Sequence, residues 1–162
     1  MTRGNRGANM STPPLKIPRE EYQAVRASIE STITNGGDIR SILGGQSGGG
    51  EANTLHWEVR RAEEALHVFG SRWTTEILTA LYIAGPRRFN QMKNLLEGIS
   101  SRTLSDKLRF LVEQGLVHRQ VEAGPPVRVA YVLSEHGRTC GRLLSPLVAH
   151  LKIHAGMLLS DD

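Results

Sequence analysis

The chain has 162 residues, 39% hydrophobic and 22% charged, which suits one domain of ordinary size with a packed core and some additional chain. No apolar run reaches the roughly 18 residues of a membrane span, and the polar, Gly/Asn/Pro-rich N-terminus is unlike a secretory signal, so a cytoplasmic protein is expected. The single cysteine, Cys140, excludes an internal disulfide framework and a multi-cysteine zinc site.

The net charge of +4 is modest, but its distribution is not even. Residues 86–128 hold Arg87, Arg88, Lys93, Arg102, Lys107, Arg109, Arg119 and Arg128 against only Glu97, Asp106, Glu113 and Glu122. The positive excess of the globular part lies in this one stretch, as expected of a polyanion binder; the plain alternative is a solvated basic surface.

In chain order, residues 1–17 read as a flexible tail. Pro18 followed by Arg19, Glu20 and Glu21 starts a helix, with proline in the first turn and acids at the positive end of the dipole. Tyr22, Val25, Ile29 and Ile33 continue it as one apolar stripe over 18–34. Asn35-Gly36-Gly37 is read as its stop, and 35–50, with five glycines in 44–50, as a Gly-rich linker. The main domain is placed at 51–160. Trp57, Ala62, Ala65, Leu66 and Phe69 mark a helix ended by Gly70. Ser71 is positioned to cap the next, whose apolar residues are Trp73, Ile77, Leu78, Leu81 and Tyr82. Gly85-Pro86 ends that helix. Phe89, Met92, Leu95 and Leu96 form a short third helix closed at Gly98. Ser100 or Ser101 caps a fourth, with Leu104, Leu108, Leu111 and Val112 on one face and Gly115 as its stop.

The apolar period then changes. Leu116–Val121 and Val127, Val129, Tyr131 and Leu133 read as two alternating strands around the turn Gly124-Pro125-Pro126, a β-hairpin. Ser134 caps a last helical region, interrupted at Gly141 and Pro146. The expected fold is mainly α with a small β-hairpin (α+β): a winged helix-turn-helix with flanking dimerisation helices. Helix 89–97, the turn 97–100 and helix 101–114 supply the helix-turn-helix.

With its leucines buried, helix 101–114 turns Arg102, Asp106, Arg109 and Glu113 outward, with Ser105 at the edge. Arg102 and Ser105 lie in the half that reaches base edges, Arg102 being able to pair bidentately with guanine; Ser101 and Lys107 flank them. Arg109 suits a phosphate, and Asp106 either orders Arg102 or Arg109 or accepts from cytosine. Arg119 and Arg128 sit on the wing, over 117–133, within reach of backbone or minor groove. Arg87 and Arg88 precede the third helix, whose amide end suits a phosphate.

Phe69-Gly70-Ser71-Arg72-Trp73, Ile77-Leu78, Gly85-Pro86-Arg87-Arg88-Phe89-Asn90, Gly98-Ile99-Ser100-Ser101-Arg102-Thr103-Leu104, Gly115-Leu116-Val117, Pro125-Pro126, Val129-Ala130-Tyr131 and Leu133 together resemble the HxlR-type winged-helix regulators, relatives of the MarR group, over about residues 58–155. The resemblance implies a homodimeric, sequence-specific regulator of double-stranded DNA, of bacterial or archaeal type, dimerising through its first and last helices. Three features depart from the family. Arg60 stands where many members carry a cysteine, thirteen residues before the tryptophan, which some use to sense oxidants or electrophiles. Val127 interrupts the wing's usual Pro-Pro-Arg-Val. Residues 1–50 lie outside the resemblance, and the helix at 18–34 is read as a further dimer arm or a partner site.

Cys140, between Arg138 and Arg142, is a candidate redox thiol or a small buried hydrophobe. His150 and His154 have the spacing of a metal pair, yet lack further ligands, and no metal site is assigned. No phosphate loop or nucleophile elbow is present, so no enzymatic activity and no cofactor is expected. The competing function is a protein-interaction module that keeps the winged-helix scaffold without binding DNA. A small apolar effector between dimer helices and wing domain is a third reading, additional to the first.

Overall fold

A computed structural model of the chain describes residues 12–44 and 51–161, and all of their side chains except those of residues 44 and 51–54. These residues fall into two compact units, one of 12–44 with 144–161, the other of 51–143.

In the first unit, strand β1 (Leu15–Ile17) leads into helix α1 (Arg19–Gly44). β1 pairs in parallel with β5 (Leu158–Ser160), Lys16 standing opposite Leu159. Residues 12–17 are therefore not part of a flexible tail; residues 1–11 lie outside the described residues. Ile29 of α1 and Leu158 of β5 are buried, whereas Ile33, Ile39, Ile42 and Leu43 are exposed. α1 also continues through Asn35-Gly36-Gly37, where the sequence reading stops it. Neither glycine has the positive φ of a helix C-cap, and a glycine in mid-helix costs only about 1 kcal/mol against alanine. The expected linker is thus helical over 35–44, and its remainder, 45–50, lies outside the described residues.

The second unit carries α2 (Glu51–Leu66), a 3-10 turn at His67–Phe69, α3 (Arg72–Ala84), strand β2 (Arg87–Arg88), α4 (Phe89–Leu95), α5 (Ser101–Glu113), and the hairpin β3 (Val117–Glu122) and β4 (Arg128–Leu133). Helix α6 (Glu135–His154) follows and runs on past Leu143. The helix that ends near Phe69 thus finishes as a 3-10 turn, not as α-helix. Ile77, Leu78 and Leu81 of α3, Met92 of α4, Leu104, Leu108 and Leu111 of α5, and Val117 and Leu133 of the hairpin form one core, with Trp73, Phe89 and Tyr131 packed against it. Ser71 holds the N-cap position of α3, but its hydroxyl makes no capping bond. The buried Thr74 hydroxyl instead reaches the carbonyls of Val68 (2.7 Å) and Ser71 (2.8 Å), closing the preceding turn onto the helix.

Two predicted termini of α5 are built as expected. The Ser100 hydroxyl accepts the Thr103 amide at 3.0 Å. At the other end Gly115 takes φ +70, where a side chain would be strained, and Leu116 N–H returns to the Leu111 carbonyl at 3.0 Å. Ser134 ties this corner to α6. Its hydroxyl donates to the Gly115 carbonyl (2.7 Å) and accepts the Gly137 amide (2.9 Å), while its own amide donates to the Leu116 carbonyl (3.0 Å). The approach is close: a Cβ on Gly137 would lie 2.1 Å from the Leu116 oxygen. The expected interruptions at Gly141 and Pro146 do not occur. Pro146 sits within α6, where proline removes one ladder bond without ending the helix when packing compensates.

Candidate nucleic-acid interface

Helices α4 and α5, joined across Gly98 and Ser100, form the helix-turn-helix, and the three-stranded sheet β2-β4-β3 forms the wing. Leu104, Leu108 and Leu111 are at most 1% exposed. That pins the rotation of α5, and Ser101, Arg102, Ser105, Asp106 and Arg109 all face solvent, with Lys107 half-buried. Asp106 orders Arg109 rather than Arg102, with 3.8 Å between carboxylate and guanidinium. Both side chains are more than half exposed, so the pair adds little stability and leaves Arg109 available. Arg102 has no ion-pair partner among the described residues.

Strand register decides where the wing arginines go. Arg119 stands opposite Tyr131, and Arg128 opposite Glu122. Directly opposed residues share a face and alternate residues switch faces. Arg119 therefore shares the face of Val117, Tyr131 and Leu133, and Arg128 shares the other face with Ala130 and Glu122. The two wing arginines point to opposite sides of the sheet.

Arg87 and Arg88 do more than precede α4. They form β2, which pairs with β4 as Arg87 opposite Tyr131 and Arg88 opposite Ala130. Arg87, Tyr131 and Arg119 thus form one cross-sheet row. The Arg88 amide donates to the Gln91 side-chain oxygen at 2.8 Å, which fixes the start of α4. A cleft of about 310 Å³ opens here, lined by Pro86, Arg87, Arg88, Gln91, Glu122, Arg128 and Ala130. Arg88 and Arg128 share the sheet face of Glu122 here, and Arg87 lines the rim with its guanidinium donating to the Pro86 carbonyl at 2.8 Å, so the concave surface is a seat of net positive charge suited to a phosphodiester. The sequence reading did not single out Glu122. The signal was available, since a turn centred on 124–126 sets residue 122 against residue 128.

Cys140 is half-buried against the core. The His150 and His154 rings stack at 6.3 Å between centroids, and no group of three or more His, Cys, Asp or Glu side chains able to hold a metal ion occurs among the described residues. Nor, among them, is any helix long and apolar enough to cross a membrane.

The model of the HxlR-like helix-turn-helix family matches residues 68–158, more than half of the chain. The HTH-type transcriptional regulator YdeP of Bacillus subtilis is 38% identical over 90 residues, covering 56% of this chain and 66% of YdeP, so the chain spans slightly less than two thirds of that relative. YodB of Bacillus subtilis, an HTH-type transcriptional regulator, is 35% identical over 77 residues, covering 48% of this chain and 68% of YodB. Among solved structures, a transcriptional regulator of the MarR family from Enterococcus faecalis superposes with a TM-score of 0.53 at 27% identity, over 67% of this chain and 92% of that one. The family match takes in the α4–α5 pair and the wing that concentrate the basic residues, and the chain belongs to the HxlR-like helix-turn-helix family, winged-helix proteins whose named relatives are transcriptional regulators.

Proposed function

We propose that the chain is a sequence-specific, double-stranded DNA-binding transcriptional regulator that acts as a homodimer. α5 enters the major groove, Arg102 and Ser105 read base edges, and Ser101, Lys107 and Arg109 hold the adjacent backbone. The wing, with Arg119 and Arg128, and β2, with Arg87 and Arg88, engage the flanking backbone or minor groove.

The observation that carries this reading is the rotation of α5. Three leucines lock one face into the core, and the opposite polar face, Arg102 included, is left uncovered. A helix held this way is a rigid reader, which direct readout requires. Dimerisation is supported by apolar side chains spaced for one helix face and left in solvent: Leu55, Val59 and Leu66 on α2, and Leu143, Leu147 and Leu151 on α6, each at least half exposed. Self-complementary faces of this kind suit a two-fold partner.

Selection of bound duplexes from random DNA tests both parts. The expected result is a two-fold symmetric site with half-sites about one helical turn apart and an affinity that falls steeply with salt. Absence of any enriched duplex, with binding to other proteins instead, would leave the interaction-module reading in its place.

A further inference from the structure

The exposed stripe of α6 holds more than leucines. Beyond Pro146, at about 100° per residue, Leu147, His150, Leu151 and His154 fall on one side of the helix and Lys152 on the other. All four side chains of the stripe are exposed. The rings of His150 and His154 are one turn apart and nearly parallel, with 17° between their planes and 6.3 Å between centroids. Neither makes a hydrogen bond or an ion pair with another described residue.

Such a stripe fits a plain apolar interface badly. Covering it takes two imidazoles out of water, and ring nitrogens left without partners there cost free energy. A metal ion supplies the partner, since a neutral imidazole keeps one nitrogen lone pair for a ligand bond. One chain falls short of a site, because no third His, Cys, Asp or Glu joins the pair among the described residues. Two-fold symmetry doubles the set. With the α6 helices of two copies crossing antiparallel and the axis level with residue 152, the two histidine pairs face each other. From this we infer that His150 and His154, together with the same pair of a second copy, hold one divalent transition ion between the two α6 helices. Four neutral nitrogen donors suit tetrahedral zinc, at about 2.0–2.1 Å from each imidazole, and bind nickel and copper as well. Leu147 and Leu151 flank the ion and exclude water from it. The ion is structural, a clamp on the dimer. The inference rests on the homodimer reading and deepens it, by naming a ligand set that one copy alone does not complete.

The test is titration of the full chain, free of any affinity tag, with zinc by calorimetry and with cobalt by visible absorption, beside sedimentation with zinc and with a chelator. Expected are one ion per two chains, the intense visible band of tetrahedral cobalt, and a dimer at least about tenfold tighter with zinc than with chelator. His150→Asn with His154→Asn should abolish both the uptake and the zinc-dependent tightening and leave the metal-free dimer in place. His118→Asn, on the exposed wing strand β3, should change neither. Both α6 substitutions are at exposed positions, so circular dichroism of the variant should match the parent. No uptake by about 100 μM zinc, one ion per chain, or unchanged uptake by the double variant each overturns the shared site and leaves the dimer standing. A chain that sediments as a monomer both with zinc and with chelator overturns the homodimer reading itself.

Discussion

Glu122 is the one carboxylate among the three arginines of the cleft, and its removal should tighten DNA binding. Glu122→Gln keeps the shape and the strand pairing with Arg128 but deletes one negative charge beside the seat of a phosphate. At a separation of about 7 Å and an effective dielectric constant of about 40–80, two unit charges repel by roughly 0.6–1.2 kcal/mol. Screening at physiological salt, with a Debye length of about 8 Å, leaves roughly 0.25–0.5 kcal/mol. The proposed dimer has two wings, so the gain is about 0.5–1 kcal/mol, or roughly 2- to 5-fold in Kd. The gain should be nearly the same on a selected duplex and a scrambled one, because no base edge is involved, and it should shrink as salt rises. Fluorescence anisotropy titrations on both duplexes across a salt series measure this. Weaker binding by Glu122→Gln would show that the carboxylate orders Arg128 for contact, and unchanged binding would place the cleft away from DNA; either refutes the electrostatic argument.

Four further outcomes follow from other parts of the molecule. Arg102→Ala should lower affinity for the selected duplex by about 1–3 kcal/mol and flatten the preference among base substitutions in one half-site, read by competition binding. Gly137→Ala, whose Cβ would lie 2.1 Å from the Leu116 oxygen, should lower stability by at least about 3 kcal/mol and Tm by roughly 10 °C in a thermal melt, whereas Gly37→Ala, in α1 with nothing within 4 Å, should raise stability by about 0.5–1 kcal/mol. Leu147→Asp with Leu151→Asp should shift sedimentation toward the monomer, because charges cannot stay unpaired in an apolar interface.

The α5 region was legible from the sequence because each of its signals is local. Leucines at 104, 108 and 111 fix the face, Ser100 the start and Gly115 the end, and all of them act within a few residues of one another. The missed parts depend on partners distant in the chain. β1 and β5 are three residues each and join segments at opposite ends of the sequence, too short to show alternation. β2 is two residues that become a strand only because β4 offers a free edge. The run of α1 through Gly36-Gly37 fails the stop rule because that rule needs a left-handed glycine, and neither glycine adopts that conformation. At the site, residue types, charge and the pairing of Glu122 with Arg128 across the hairpin were readable, whereas bringing Arg88 to the same face required the pairing of β2 with β4, which residue spacing in one hairpin does not supply.

The opposite orientation of Arg119 and Arg128 separates two ways for the wing to meet DNA. A wing lying flat against the backbone presents one face, so only one of the two guanidinium groups reaches a phosphate. A wing entering the minor groove edge-on presents both faces, and each arginine then meets a different groove wall. Single substitutions to alanine and the double variant distinguish the two. In the flat mode one single variant carries nearly the whole loss and the double variant adds nothing to it. In the edge-on mode both singles lose about 1 kcal/mol or more and the double loses their sum within about 0.5 kcal/mol, since the groups act on separate strands. The row Arg87–Tyr131–Arg119 across β2, β4 and β3 favours the edge-on mode on its own face. There Tyr131, packed against the core, holds the strand between Arg87 and Arg119, so that face carries two arginines at a backbone spacing set by strand register while Arg128 stands on the other. If the salt dependence of log Kd loses about one unit for each arginine removed, both contacts are to phosphate; if Arg119→Ala leaves the slope unchanged, the edge-on mode is wrong and Arg128 alone anchors the wing.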